Sequence, residues 1–380
     1  SGLDATFVLS RGGEAVELPD VTVPARATAL VLGVAAIAVG VALIVGLVRT
    51  RVYAVFGVVL LLFVVALLAW AARGADTSIV GLLDGTLQRA IPLALGAMAG
   101  ILCERAGVIN IAIEGMLLTA AFVGALTASA AGSVWVGMAS GIVSGALLGA
   151  ALAVLSIRYR VDQIIGGTVI NIFALGLTSY LTARVLVEYQ DLNDPGSFRP
   201  VGIPLLEKLP LVGPLVFDNT IYAYLMFVGV FGLAWALFRT RWGLRLRAVG
   251  EHPRAADTVG IGVLRTRYRA VILGGAVAGL AGTWFTLDAV GNFDENMTAG
   301  TGFIALAALI FGRWHPVGAF VAALVFGFSE ELQGRLALLD TPIPSELLLM
   351  TPYLVTIAVV AGLVGRSRPP AADGQVYVTG

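Results

Sequence analysis

Apolar residues run in long blocks along this chain, separated by short polar or glycine-rich stretches. The blocks fall at about 27–48, 52–72, 90–103, 113–131, 134–157, 163–184, 220–238, 270–288, 303–312, 317–334 and 347–364. Most are continuous over about 20 residues, the length an α-helix needs to cross a hydrocarbon core of about 30 Å. They lack the period-two alternation of a membrane β-barrel. The pattern predicts an all-α polytopic transmembrane bundle with about ten or eleven membrane segments, some of them broken or re-entrant. The blocks at 90–103 and 303–312 are too short to span unless they extend into their neighbours.

One interruption is chemically expensive. ERAGVINIAIEG at 104–115 places Glu104, Arg105, Asn110 and Glu114 between two apolar blocks. Such residues at bilayer depth usually face a cavity or a partner. A short, glycine-interrupted apolar segment beside them has the pattern of a broken transporter helix. The alternative is an ordinary cytosolic turn between two spans. Asn171 is a further polar residue stranded in an apolar block, and Phe303 is an aromatic in the short one. Asn110, Glu114, Asn171 and Phe303 are therefore candidates to line a path. Interhelical bonding and ordinary packing compete with that reading for each.

Composition agrees with the pattern. The 380 residues are 58% hydrophobic and only 13% charged, against about 25% charged in soluble chains. The 47 glycines suit close helix packing in lipid. Zero net charge gives no reason to expect a nucleic-acid partner, and the lone Cys103 excludes an internal disulfide.

Arginines set the expected orientation. Arg49, Arg51, Arg158, Arg160, Arg313, Arg366, Arg368 and a dense group between Arg239 and Arg269 all fall on one face, assigned to the cytoplasm. The expected organisation is an extracytoplasmic segment at 1–26, a transmembrane domain at 27–365 and a cytosolic tail at 366–380. Strand-like pieces around Gly12 and Gly13 predict a hairpin in the first segment, which is no signal peptide. The proline-rich stretch 185–219 reads as an ordered external loop. Because the chain opens on Ser1 rather than Met, the native protein is expected to start earlier, with one further span.

The chain carries a single lysine, Lys208, in the external loop, so it cannot form a P-loop. Its two histidines, His252 and His315, lie in loops with no metal-ligand spacing. The cytosolic loop 239–269 suggests where energy enters. Pro253 suits the first turn of a short helix at about 253–259, with His252 near its N-cap and Gly260 at its exit. That helix would present Ala255 and Ala256 beside Arg254 and Asp257, small residues that seat deep in a groove of another protein. A basic loop that merely anchors orientation is the competing reading.

These residues also carry a resemblance. GLRLRAVGEHPRAADTVGIGV at 243–263 resembles the coupling loop of permeases of ATP-binding-cassette (ABC) importers for branched-chain amino acids, simple sugars and nucleosides. ERAGVINIAIEGM at 104–116, VDQIIGGTVINIFALGLTSYL at 161–181 and MTAGTGFIALAALIFGRWHPVGA at 297–319 resemble three further blocks of that family, in the expected order. The likeness is greatest to the nucleoside branch. His252 departs from the family pattern, which commonly has Asn there.

The resemblance implies a multi-pass permease of a bacterial plasma membrane with its C-terminus in the cytoplasm. It implies no enzyme activity and no cofactor in this chain, with ATP and Mg bound by a partner ATPase. The ATPase would dock on Gly250, Glu251, His252, Pro253, Arg254, Ala255, Ala256, Asp257 and Gly260. The other implied partners are a second, non-identical permease and an extracytoplasmic substrate-binding lipoprotein. A sugar permease is the alternative within the family. An ion-coupled secondary transporter is the alternative outside it, since broken helices and buried carboxylates suit it equally.

Overall fold

The computed structural model describes residues 4–10, 18–46, 52–204, 206–207, 209, 212–339, 344, 347, 350 and 368–378. The expected turn at Gly12 and Gly13 lies outside them, as does nearly all of the block at 347–364. The chain is helical as its apolar blocks predict. The helices are α1 (Ala25–Ile44), α2 (Val52–Ala71), α3 (Ile79–Glu104), α4 (Ile113–Ala131), α5 (Val134–Ala153) and α6 (Gln163–Leu181). They continue with α7 (Ile221–Arg239), α8 (Arg241–Glu251), α9 (Pro253–Thr258), α10 (Val263–Trp284), α11 (Thr301–Phe311) and α12 (Pro316–Leu338). Among the described residues seven are long and apolar enough to cross a membrane: α1, α3, α4, α5, α6, α7 and α10.

One expected short segment is corrected. The block at 90–103 is the second half of α3, which starts at Ile79 and runs 26 residues. Asp84, Gln88 and Arg89 interrupt the apolar run without interrupting the helix, and Gln88 donates to the Asn219 side chain at 2.8 Å. By contrast α11 stays short at 11 residues, about 16 Å of helix, which cannot cross the hydrocarbon core.

The chain divides into two compact units. The first holds residues 1–88, 202–219 and 327–365. Here β1 (Asp4–Val8) pairs antiparallel with β2 (Val21–Pro24), and β3 (Asp76–Ser78) pairs parallel with β1. Its core gathers Leu68 and Ala71 of α2, Leu82 of α3, and Leu332 and Leu336 of α12. An ion pair between Arg335 and Glu331, at 2.9 Å and one helical turn apart, lies beside it.

The second unit holds residues 89–201, 220–326 and 366–380 and contains the resemblance motifs. Its centre is the crossing of α5 and α10. Gly137, Gly141, Gly145 and Gly149 recur every four residues on α5, so they share one face. Gly275 and Gly279 of α10 meet that face. A Cβ on Gly145 would lie 2.4 Å from the Gly275 carbonyl oxygen. Close backbone approach of this kind is how helices associate where lipid removes the hydrophobic driving force. Helix ends follow local rules. Asp162 caps α6 by accepting from Ile164 and Ile165 N–H at 2.9 and 3.0 Å, and α4 ends at Gly132 with φ +61°.

Candidate translocation and coupling site

Between α3 and α4 the chain leaves the helix for residues 105–112. This break strands backbone donors and acceptors in a buried place, and side chains satisfy them. Asn110 is fully buried, and its Oδ1 accepts from Ala112 N–H at 3.1 Å. Its Nδ2 donates to Cys103 Sγ at 3.4 Å and Met116 Sδ at 3.8 Å. Gln163 Oε1 accepts from Ile109 N–H at 2.7 Å. Asn171, across on α6, accepts from Gly115 N–H at 2.8 Å and donates to the Ile111 carbonyl at 2.9 Å. It caps the first turn of α4 from another helix.

Glu114 faces α11. The helix begins after Gly300, whose φ of +88° suits glycine, and its first N–H groups have no partner within the helix. The Glu114 carboxylate accepts from Thr298 Oγ1 at 2.7 Å, Gly300 N–H at 2.8 Å and Gly302 N–H at 2.6 Å. It also sits where the helix dipole favours negative charge. At the other end of α11, Arg313 and Trp314 both adopt left-handed φ, 55° and 54°. That strained turn aims Trp314 Nε1 at Glu104 Oε2, while Arg105 Nε donates to the Trp314 carbonyl at 3.0 Å. Glu104 and Glu114, on the two flanks of the α3–α4 break, therefore hold the two ends of α11.

The path candidates separate on this geometry. Asn110, Glu114 and Asn171 hold the break together with hydrogen bonds inside the chain. Phe303 differs: it is half exposed on an open apolar side of α11 that also carries Ile310.

The arginine-rich loop at 239–269 folds into α8 and α9. The sequence reading missed α8, whose start is capped by Thr240 Oγ1 accepting from Gly243 N–H at 3.2 Å. α9 begins at Pro253 after His252, whose side chain makes no cap bond, and Gly260 takes φ +82° after its end. The expected two-alanine face is corrected. Ala256 is buried against Val249, Val263 and Tyr377, because α9 must pack its own apolar side on the chain. The outward residues are His252, Arg254, Ala255, Asp257, Thr258 and Val259. Gly250 presses on the break itself: a Cβ there would lie 2.2 Å from the Arg105 carbonyl oxygen.

Phe238 lies at the same end of the unit. The Arg105 and Arg247 guanidinium carbons lie 5.6 and 4.9 Å from its ring centroid, and His315 stacks on it at 4.7 Å. Burial, then the adjacent Arg105, lowers the His315 pKa from its ordinary value. Among the described residues no three His, Cys, Asp or Glu side chains gather as a metal site would require.

Comparison with known proteins places this architecture. Residues 82–360 match the family described as branched-chain amino acid transport system, permease component. The guanosine ABC transporter permease protein NupQ of Bacillus subtilis is 38% identical over 308 residues, covering 79% of this chain and 97% of that protein. The nucleoside ABC transporter permease protein NupC of Lactococcus lactis is 37% identical over 297 residues, 76% of this chain and 93% of its own. The putative glucose ABC transporter permease protein TsgC13 of Haloferax volcanii is 35% identical over 306 residues, 76% and 93% respectively. No solved structure matches the chain significantly. With its long apolar helices, its helix break at 105–112 and a family match over most of its length, the chain belongs to the branched-chain amino acid transport system permease family.

Proposed function

We propose that this permease subunit of an ABC importer moves nucleosides, paired with a second, non-identical permease and fed by an extracytoplasmic binding lipoprotein. The observation that carries the substrate is the 37–38% identity to guanosine and nucleoside permeases across 93–97% of their length. Phe303, half exposed on α11, offers a face on which a base can stack. Labelled guanosine, other nucleosides, glucose and branched-chain amino acids should be compared for uptake in cells with and without the gene. Gene-dependent uptake of nucleosides alone is expected. Uptake of glucose but not nucleosides would support the sugar reading, which the 35% identity to the glucose-type permease favours. Uptake indifferent to ATP depletion would support a secondary transporter.

Energy enters at α9 in this reading, through a cytosolic ATPase docked on its outward residues, with the C-terminus on the same cytoplasmic side. Gly250 then passes the ATPase movement to Arg105 and the break by direct backbone contact. Ala255→Trp, at an exposed position, should abolish substrate-stimulated ATP hydrolysis in reconstituted vesicles while leaving the membrane domain folded. Ala256→Arg should instead lower the yield of folded protein, because it forces a charge into the buried cluster with Val249, Val263 and Tyr377. Normal stimulation in the Ala255→Trp protein would remove α9 as the docking element.

A further inference from the structure

Residues 368–378 form neither helix nor strand, yet they are fastened at several points. Ala371 N–H donates to Glu251 Oε2 at 3.2 Å, and Ala372 N–H donates to the Gly250 carbonyl at 2.9 Å. The Tyr377 hydroxyl donates to Asp257 Oδ2 at 2.8 Å, while its ring completes the apolar cluster under α9. Arg267 at the base of α10 donates through Nη1 to the Gln375 carbonyl at 2.7 Å and through Nε to the Ala106 carbonyl at 3.1 Å. Gly374, at φ +73°, lies so close to the break that a Cβ would come within 2.8 Å of Ile109 Cδ1. Burial pushes the Asp373 carboxyl up to about 7, against the lowering pull of the Gly374 backbone donor and of Arg267.

One irregular segment thus touches the end of α8, the coupling helix α9, the foot of α10 and the α3–α4 break. Fixing each residue of such a segment costs backbone entropy, so its contacts must offset a large opposing term. Ala372 and Tyr377 are buried in doing so. α9 itself has six residues, too few to hold its place unaided.

We infer that residues 368–378 are a clasp that positions α9 against the α3–α4 break, so that displacement of α9 by the ATPase moves the break rather than the loop alone. The inference rests on the docking reading of α9. Tyr377 and Gly374 are positioning residues: they act through α9 and Ile109 and need touch no substrate.

The test uses the complete transporter with its ATPase, reconstituted in vesicles, with a photo-crosslinker at position 255. Two variants loosen the clasp. Gly374→Val collides with Ile109 and cannot hold its backbone conformation, and Tyr377→Phe removes only the bond to Asp257. Crosslinking to the ATPase should persist in both. The ratio of substrate-stimulated to basal ATP hydrolysis should fall by about five-fold or more in Gly374→Val, the lower end of ordinary coupling between sites, and by less in Tyr377→Phe. Hydrogen exchange should rise over 253–258 in the same order. Wild-type coupling in both variants, with 368–378 shown by exchange to be released in Gly374→Val, overturns the clasp alone. Absence of the crosslink in the wild type overturns the docking reading and the clasp with it. Should Gly374→Val fail to fold, Tyr377→Phe decides: a lowered ratio with the crosslink intact supports the clasp, and an unchanged ratio, with or without raised exchange over 253–258, rejects it.

Discussion

Transport is expected to vanish when Glu114 is replaced by alanine, and glutamine is expected to rescue nothing. Three donors converge on the two carboxylate oxygens: Thr298 Oγ1, Gly300 N–H and Gly302 N–H. Alanine leaves all three unpaired in a buried place, at about 1–3 kcal/mol each if the costs add. Glutamine keeps the size of the side chain but turns one acceptor into an NH₂ donor, which then faces a donor. It also removes the charge that complements the start of α11. A group that served as a substrate ligand would behave differently, since glutamine often preserves hydrogen bonding to a neutral solute. Uptake and thermal unfolding of the purified transporter should be measured together. Both variants should lose several degrees of midpoint along with transport. Full stability in Glu114→Gln would show that the carboxylate does not hold α11.

An isopropyl side chain at position 275, in place of glycine's hydrogen, should prevent assembly of the membrane domain. A Cβ at this position would lie 2.4 Å from the Gly145 carbonyl oxygen and 2.9 Å from Gly149 Cα. Both obstacles are backbone, so no side chain can rotate away, and the helices must separate along the α5–α10 face. The loss should exceed the roughly 1–3 kcal/mol usual for an overpacked core, because Gly145 and Gly279 lose their contacts at the same time. Gly275→Val should give little monodisperse protein in mild detergent. Gly176→Val and Gly232→Val provide the control, since a Cβ at either meets nothing within 4 Å. Equal yields for all three would disprove the packing argument.

Much of this was legible in the residues. The apolar blocks marked the all-α membrane fold because lipid allows few other ways to satisfy a spanning backbone. The block 104–116 announced itself by placing Glu104, Asn110 and Glu114 between apolar runs, and 297–319 by its family resemblance. Pro253 and Gly260 marked both ends of α9 correctly to within a residue. What stayed hidden was pairing. The flanking apolar blocks say that Glu114 is costly to leave unpartnered, but its partners lie 184 to 188 residues away, and no local pattern specifies them. Ala256 looked presentable because Val249, Val263 and Tyr377, which cover it, are brought there by the fold. The length of α3 was missed because Asp84 and Arg89 break the run of hydropathy while leaving the helix intact. The tail segment offered no periodic signal at all.

The fastening of α11 at both ends has a thermodynamic consequence. Isolated helices shorter than about 12–15 residues are marginal even in favourable sequences, and α11 has 11. Its persistence is therefore borrowed from Glu104 and Glu114, which sit on the two flanks of a single short interruption. Break and half-helix should therefore open as one cooperative unit, with one free energy of opening rather than two. A mutation that loosens 105–112 is expected to release α11 in the same step.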